Sequence, residues 1–279
     1  MRRRAGGGAG LYCTDMDWSR QTVMITGASS GIGRALALEL DRRGARLVLA
    51  ARRHEALEAV RAACTEPSRH HLLTLDLEDA ETLPARAAEA ERLAGPIDIL
   101  VNNAGISLRG WIHETDLAVD RRIMEVNYFG CIGLTKALLP GMLARGHGHL
   151  VVVSSIVGHI STPMRSAYAA SKHALHGWFD ALRAEVHDQG LRVTLVLPGY
   201  VKTDISLNAL RPDGSRFGQM DRNQARGMAA ETCARRMANA IERGRAEVVI
   251  SRPYERFGLW LGRHWPALFR IIVRREKPK

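Results

Sequence analysis

Cysteine is scarce. Cys13, Cys64, Cys131 and Cys233 are the only four in 279 residues, and they lie far apart. No CxxC pair and no metal-ligand spacing occurs, so neither a disulfide framework nor a metal site is expected. Inert reduced thiols in a cytoplasmic protein are expected instead. Long apolar runs are missing too: none approaches the ~18–20 residues that cross a bilayer. The start, residues 1–10, is basic and Gly-rich and is followed by no apolar h-region, so it does not read as a secretory signal. Residues 1–18 are expected to form a flexible tail. Lysine is nearly absent, since 35 of the 40 basic side chains are arginine. The formal net charge is +11, but the arginines are spread along the chain without a dense basic run in the domain. No nucleic-acid partner is expected from that pattern.

What is present is an alternation. Short β-branched and leucine-rich runs occur at 22–26, 46–50, 71–75, 97–101, 149–154, 192–196 and 247–250. They lack polar alternation, as strands covered on both faces should. Between them lie segments with helical spacing at 31–43, 54–63, 80–93, 117–143, 167–189 and 231–243. Seven strands alternating with helices predict an α/β domain with a doubly wound, seven-stranded parallel sheet, Rossmann-like, over residues 19–251. In such sheets the ligand lies beyond the carboxyl ends of the strands.

After the first strand comes Thr26-Gly27-Ala28-Ser29-Ser30-Gly31-Ile32-Gly33-Arg34, running into a helix. Glycines at 27, 31 and 33 permit a sharp turn and close backbone approach. The helix N-terminus then presents unpaired N–H groups to a pyrophosphate. After the second strand, Arg52 and Arg53 stand where an acidic residue would bind the ribose 2′-hydroxyl of NAD. Two cations suit a 2′-phosphate, so NADP is favoured over NAD. Asp76-Leu77 follows the third strand, with Asp76 either accepting from an adenine amino group or capping the next helix. Asn102-Asn103-Ala104-Gly105 follows the fourth and would let backbone lie against a ribose. Ser154-Ser155 follows the fifth, and Tyr168 and Lys172 lie four apart in a helical segment, on one face.

That trio suits hydride chemistry. Carbonyl reduction needs a proton for oxygen as hydride reaches carbon. A tyrosine is a slow acid/base near neutrality, and an ammonium one turn away is expected to lower its pKa. A serine hydroxyl can hold the substrate oxygen in line.

With these motifs in order, and with Asn127, Pro198-Gly199 and Thr203, the chain resembles the short-chain dehydrogenase/reductases from about residue 19 to 250. The resemblance implies Tyr168 as general acid/base, Ser155 polarising the carbonyl, Lys172 on the nicotinamide ribose, and Asn127 anchoring a water that relays protons to Lys172. Asn127 could equally satisfy backbone at a helix kink. The cofactor set it implies is Gly27, Ser29, Ser30, Gly31, Ile32, Gly33, Arg52, Arg53, Asp76, Leu77, Asn103, Ala104, Gly105, Tyr168, Lys172, Pro198, Gly199, Val201 and Thr203. It implies a homodimer or homotetramer through 117–143 and 167–189. An alternative on the same fold is a non-catalytic NADPH-binding sensor.

The segment 198–228 is long enough for a substrate lid. His159, Met164, Tyr200, Ile205, Leu207 and Leu210 are the pocket candidates, with His159 the one polar recogniser. Their apolar character suggests a lipid- or steroid-like small-molecule substrate. The loop is similar to the dehydrogenase/reductase member 7B branch, associated with reduction of acyl- or alkyl-dihydroxyacetone phosphate and with membrane attachment, although no N-terminal anchor of that kind is evident. Finally, 252–279 is a basic amphipathic extension in which 254–275 mixes Trp, Phe, Leu and Ile with arginines. It reads as an interfacial helix on a membrane, or as a helix packed on its own domain or a second subunit, with arginine stems covering apolar surface.

Overall fold

The computed structural model describes residues 16–275. Cys13 and most of the expected tail lie outside them. The domain begins earlier than the sequence suggested: Trp18 opens a 3₁₀ turn, 18–20, and is only 4 % exposed against the core.

Seven strands form one parallel sheet: β1 (Thr22–Thr26), β2 (Arg46–Ala51), β3 (His71–Thr74), β4 (Ile99–Asn102), β5 (Gly148–Val153), β6 (Leu191–Pro198) and β7 (Glu247–Ile250). Their order is β3-β2-β1-β4-β5-β6-β7. The order reverses between β1 and β4, which makes their carboxyl ends the crevice where ligands bind in such sheets. Side chains alternate between two covered faces. Val23 and Ile25 pack with α1 (Gly31–Arg42), α2 (His54–Ala62) and α8 (Ala230–Glu242). Met24 packs on the other face with α3 (Leu83–Ala94), α5 (Gly130–Arg145) and α6 (Ser166–Glu185). Double coverage explains why the strands read as unbroken apolar runs. Leu36, Leu40, Leu47 and Phe179 are fully buried, each contributing about 1.5–3 kcal/mol of transfer free energy.

Two expected helices are interrupted. The 117–143 segment is α4 (Leu117–Met124), a π-helical turn over Glu125–Phe129, then α5. The C-terminal stretch breaks into α9 (Pro253–His264) and α10 (Pro266–Arg275). Pro266 causes the second break, because it lacks an N–H and excludes the preceding residue from helical geometry. The 198–228 loop contains the short α7 (Arg222–Ala225) and is pinned by isolated bridges Leu108↔Leu210 and Val201↔Met228. Among the described residues no helix is long and apolar enough to cross a membrane.

Candidate active site

The turn after β1 has the conformation the glycines were expected to allow. Gly27 and Gly31 have φ of +67° and +54°, the left-handed region that favours glycine. A Cβ on Gly33 would stand 2.3 Å from the Gly27 carbonyl oxygen. Ser30 caps α1 through its backbone without a side-chain hydrogen bond, and the first turn holds no acidic residue. The N-terminal N–H groups are thus left for an anion. Asn103 braces this turn from β4: its Nδ2 donates to the Thr26 carbonyl at 2.9 Å and the Gly27 carbonyl at 3.4 Å. Thr26 Oγ1 accepts from the Asn103 and Ala104 N–H groups. The cradle therefore fits a pyrophosphate.

Arg52 and Arg53 are exposed at the start of α2, and their guanidinium groups have no hydrogen-bond or ion-pair partner among the described residues. Asp76 spends one carboxylate oxygen on the Glu78 N–H at 3.1 Å, and Leu77 packs its backbone and side chain against Gly130. On the far side of the crevice, Thr203 Cγ2 would lie 3.2 Å from a Cβ on Gly31, so Thr203 faces the phosphate turn. Gln224 was not anticipated. Its buried Nε2 donates to the Val201 carbonyl and, at 3.2 Å, to Thr203 Oγ1, fixing both.

The reacting groups meet at the ends of β4, β5 and α6. Tyr168 is buried, and the Ser155 hydroxyl is among the groups that hold its phenol down. Ser155 Oγ also donates to the Pro198 carbonyl at 3.4 Å and accepts from the Val157 N–H at 3.3 Å. Lys172 lies one turn on, its Nζ donating to the Val153 carbonyl at 2.9 Å and standing 5.7 Å from the Tyr168 ring centre. Burial pushes Lys172 down to about 8. Burial also raises the Tyr168 phenol above its usual value. The groups that oppose that rise are Arg165, Ser155 and Arg109. Reasoning from the sequence gave this role to Lys172, which here is turned to a backbone carbonyl. Asn127 sits in the π-helical turn, 1 % exposed. It accepts from Ile106 N at 2.8 Å and donates to Ile106 O at 2.9 Å and to Ser171 Oγ at 3.0 Å. Gly105 lies against it, since a Cβ there would be 3.0 Å from Asn127 Oδ1 and 3.5 Å from Lys172 Nζ.

The family model for short chain dehydrogenases matches residues 21–213. The chain belongs to the short-chain dehydrogenase/reductase family. The mouse protein "Dehydrogenase/reductase SDR family member 7B" is 43 % identical over 261 residues, 91 % of this chain and 81 % of that one. The Drosophila melanogaster "Dehydrogenase/reductase SDR family protein 7-like" is 40 % identical, covering 93 % and 81 %. A short-chain dehydrogenase structure from Streptomyces avermitilis superposes with TM-score 0.79 at 31 % identity, covering 94 % of this chain and all of that one. An alcohol dehydrogenase from Thermococcus sibiricus, complexed with 5-hydroxy-NADP, superposes with TM-score 0.72 at 25 % identity, covering 84 % and 97 %. The protein is thus an oxidoreductase of this family, acting on CH–OH with a nicotinamide cofactor.

The surroundings of Tyr168 are charged. Sequence reasoning placed only apolar groups and His159 there. Instead Arg109 and Arg165 are drawn in, with side chains 8 % and 12 % exposed, both onto Asp221 Oδ2 of the 198–228 loop. The Arg165 guanidinium lies 5.7 Å from the centre of the Tyr200 ring. The backbone N–H of Arg109 donates to the carbonyl of Leu210, and Met164 beside Arg165 takes a positive φ of 64°. Leu210, Leu108, Ile156 and Val157 pack with Tyr168 in one apolar cluster. Ile205 and Leu207 are half-buried in the same loop. His159 does not join them. Its ring packs on His176 at 4.3 Å and its Nε2 meets Glu247.

The C-terminal extension also reaches the site. Glu255 of α9 is 5 % exposed and accepts from the N–H groups of Tyr200 at 3.0 Å and Arg252 at 2.7 Å. A Cβ on Gly199 would stand 2.1 Å from its carboxylate. Gly199 is therefore required where the C-terminal helix docks. No local pattern in the sequence links residues 199 and 255; only packing does.

Proposed function

We propose that the protein is an NADPH-dependent carbonyl reductase whose substrate is amphiphilic, with an apolar body and an anionic group. The observation that carries the reductase reading is buried Tyr168 with Lys172 one turn away, its Nζ 5.7 Å from the ring centre, and Ser155 at the carboxyl end of β5. The Gly27–Gly33 cradle would hold the pyrophosphate. Arg52 and Arg53, exposed and with guanidinium groups that have no partner among the described residues, would hold a 2′-phosphate through charge-assisted hydrogen bonds. Bound NADPH supplies the hydride. Tyr168 delivers the proton to the carbonyl oxygen, and Ser155 holds that oxygen in line. Lys172, its charge available below about pH 8, would hold the ribose hydroxyls.

The substrate reading rests on the two arginines. Arg109 and Arg165 share one carboxylate, which leaves one positive charge uncompensated beside the reacting phenol. A phosphate or carboxylate on the substrate would satisfy it. The apolar cluster around Leu108, Ile156 and Leu210 would receive the rest.

The test is NADPH consumption with paired ketones, neutral and anionic, using wild type, Tyr168→Phe and Arg52→Ala. Wild type is expected to prefer the anionic ketone. Tyr168→Phe should lose about 10²–10⁴-fold in turnover while binding NADPH. Arg52→Ala should weaken NADPH about 10–100-fold and leave NADH alone, the scale of a charge-assisted hydrogen bond. If no ketone is turned over while NADPH binds, the non-catalytic sensor takes over.

A second reading concerns partners. Ile112, Leu117 and Phe129 are exposed around a groove of about 460 Å³ along α4, the π-helical turn and α6, which favours a second copy there. Tyr254, Phe257, Trp260, Leu268, Ile271 and Ile272 are exposed on α9 and α10, with Trp265 exposed between them, among arginines. That composition favours peripheral contact with an anionic membrane.

A further inference from the structure

Three residues that sequence spacing does not connect converge outside the crevice. His159 follows the 3₁₀ turn Ile156–Gly158, His176 lies one turn beyond Lys172 on α6, and Glu247 opens the edge strand β7. One ligand atom from each lies within 4.8 Å of the others. His159 Nε2 is 3.4 Å from Glu247 Oε2, and the two imidazoles meet edge-on with ring centres 4.3 Å apart.

His176 is the informative member. It is 8 % exposed, and its Nε2 is 2.9 Å from Ser154 Oγ. Its Nδ1 is buried and has no hydrogen-bond partner. Such a buried orphan calls for an explanation, a bound ion among them. With Nε2–H donating to Ser154, Nδ1 carries a lone pair. A metal-bound imidazole is ordinarily held that way, its second nitrogen fixed by a neighbour.

We propose that His159, His176 and Glu247 form a site for a divalent transition-metal ion of the zinc class, with a fourth position open to water. Two imidazoles and a carboxylate are a set that zinc accepts, at about 2.0–2.2 Å per ligand. That geometry needs ligand atoms roughly 3.3 Å apart. The His159–Glu247 pair is already near it, and both side chains are 40 % or more exposed, so they can close on the fixed His176. An ion there would tie the turn that carries Ser155 to the helix that carries Tyr168 and Lys172, and both to β7.

The other cluster of this kind, Asp41, Cys64 and His70, is closed. His70 Nδ1 accepts from Leu47 N–H, its Nε2 donates to Asp41, and Asp41 also accepts from Thr65 N–H. Burial raises the Cys64 thiol to about 11, holding it protonated.

The experiment uses the tag-free full chain, stripped with chelator and titrated with Zn²⁺ and Co²⁺ by calorimetry and visible absorption. Wild type is expected to bind one ion per chain and to gain thermal stability. His159→Gln and Glu247→Gln, both surface changes, should each weaken binding at least about tenfold with circular dichroism unchanged. Cys64→Ser should bind as wild type does. No binding by wild type, undiminished binding in both surface variants, or loss of binding in Cys64→Ser would each overturn the proposal.

Discussion

The Asn127 carboxamide pairs with both backbone groups of Ile106, accepting from its N–H at 2.8 Å and donating to its carbonyl at 2.9 Å. This pair joins the π-helical turn to the strand-end loop that carries Asn103 and Gly105. Leaving buried backbone groups unpaired costs about 1–3 kcal/mol each. Asn127→Ala is therefore expected to lower stability by about 2–4 kcal/mol and to weaken NADPH binding. Chemical denaturation and a fluorescence titration check the two effects.

Gly33 has no room for a side chain, since the nearest atom is backbone at 2.3 Å. Gly33→Ala should open the phosphate turn, raising the NADPH dissociation constant by more than about tenfold, an order of magnitude being about 1.4 kcal/mol. An unchanged constant would show that the turn does not hold the cofactor.

The Lys172 ammonium is pushed from 10.5 to about 8 by burial. In the folded protein it is charged below about pH 8 and neutral above it. Any NADPH affinity that depends on its charge is lost as pH rises through 8, and Lys172→Met should flatten that part of the profile. The stability sign is the reverse. Between about 8 and 10.5 the unfolded chain binds the extra proton, so this group's contribution improves as pH rises through that window. NADPH titrations and urea midpoints at pH 7 and 9.5 separate the two trends.

The two C-terminal helices should behave differently on truncation. α9 is anchored by Glu255 and Leu261, whereas α10 buries no residue. Removing 265–279 is expected to keep the fold and reductase activity and to lose binding to anionic phospholipid vesicles. Glu255→Ala in the full chain should instead impair activity, by freeing the N–H of Tyr200. Vesicle co-sedimentation together with NADPH turnover distinguishes these outcomes. Failure of the full chain to sediment with the vesicles would sink the membrane reading.

Much of this protein was legible in one dimension because its signals are local. Strand periodicity, the glycines of the β1–α1 turn and the Tyr168–Lys172 spacing each follow from a few consecutive residues, and parallel order follows from alternation. Double coverage of the sheet and the family were accessible for that reason. Features that depend on distant residues were not. Arg109 and Arg165 are 56 positions apart and face one charge because Asp221 folds back over them. Glu255 excludes a side chain at Gly199 only once α9 docks. His159, expected in the pocket, turns to His176 of α6 and Glu247 of β7. Sequence determined the backbone path and the chemistry at the strand ends. Tertiary packing decided which charges surround the phenol, because desolvation and Coulomb energies depend on distances that no local pattern encodes.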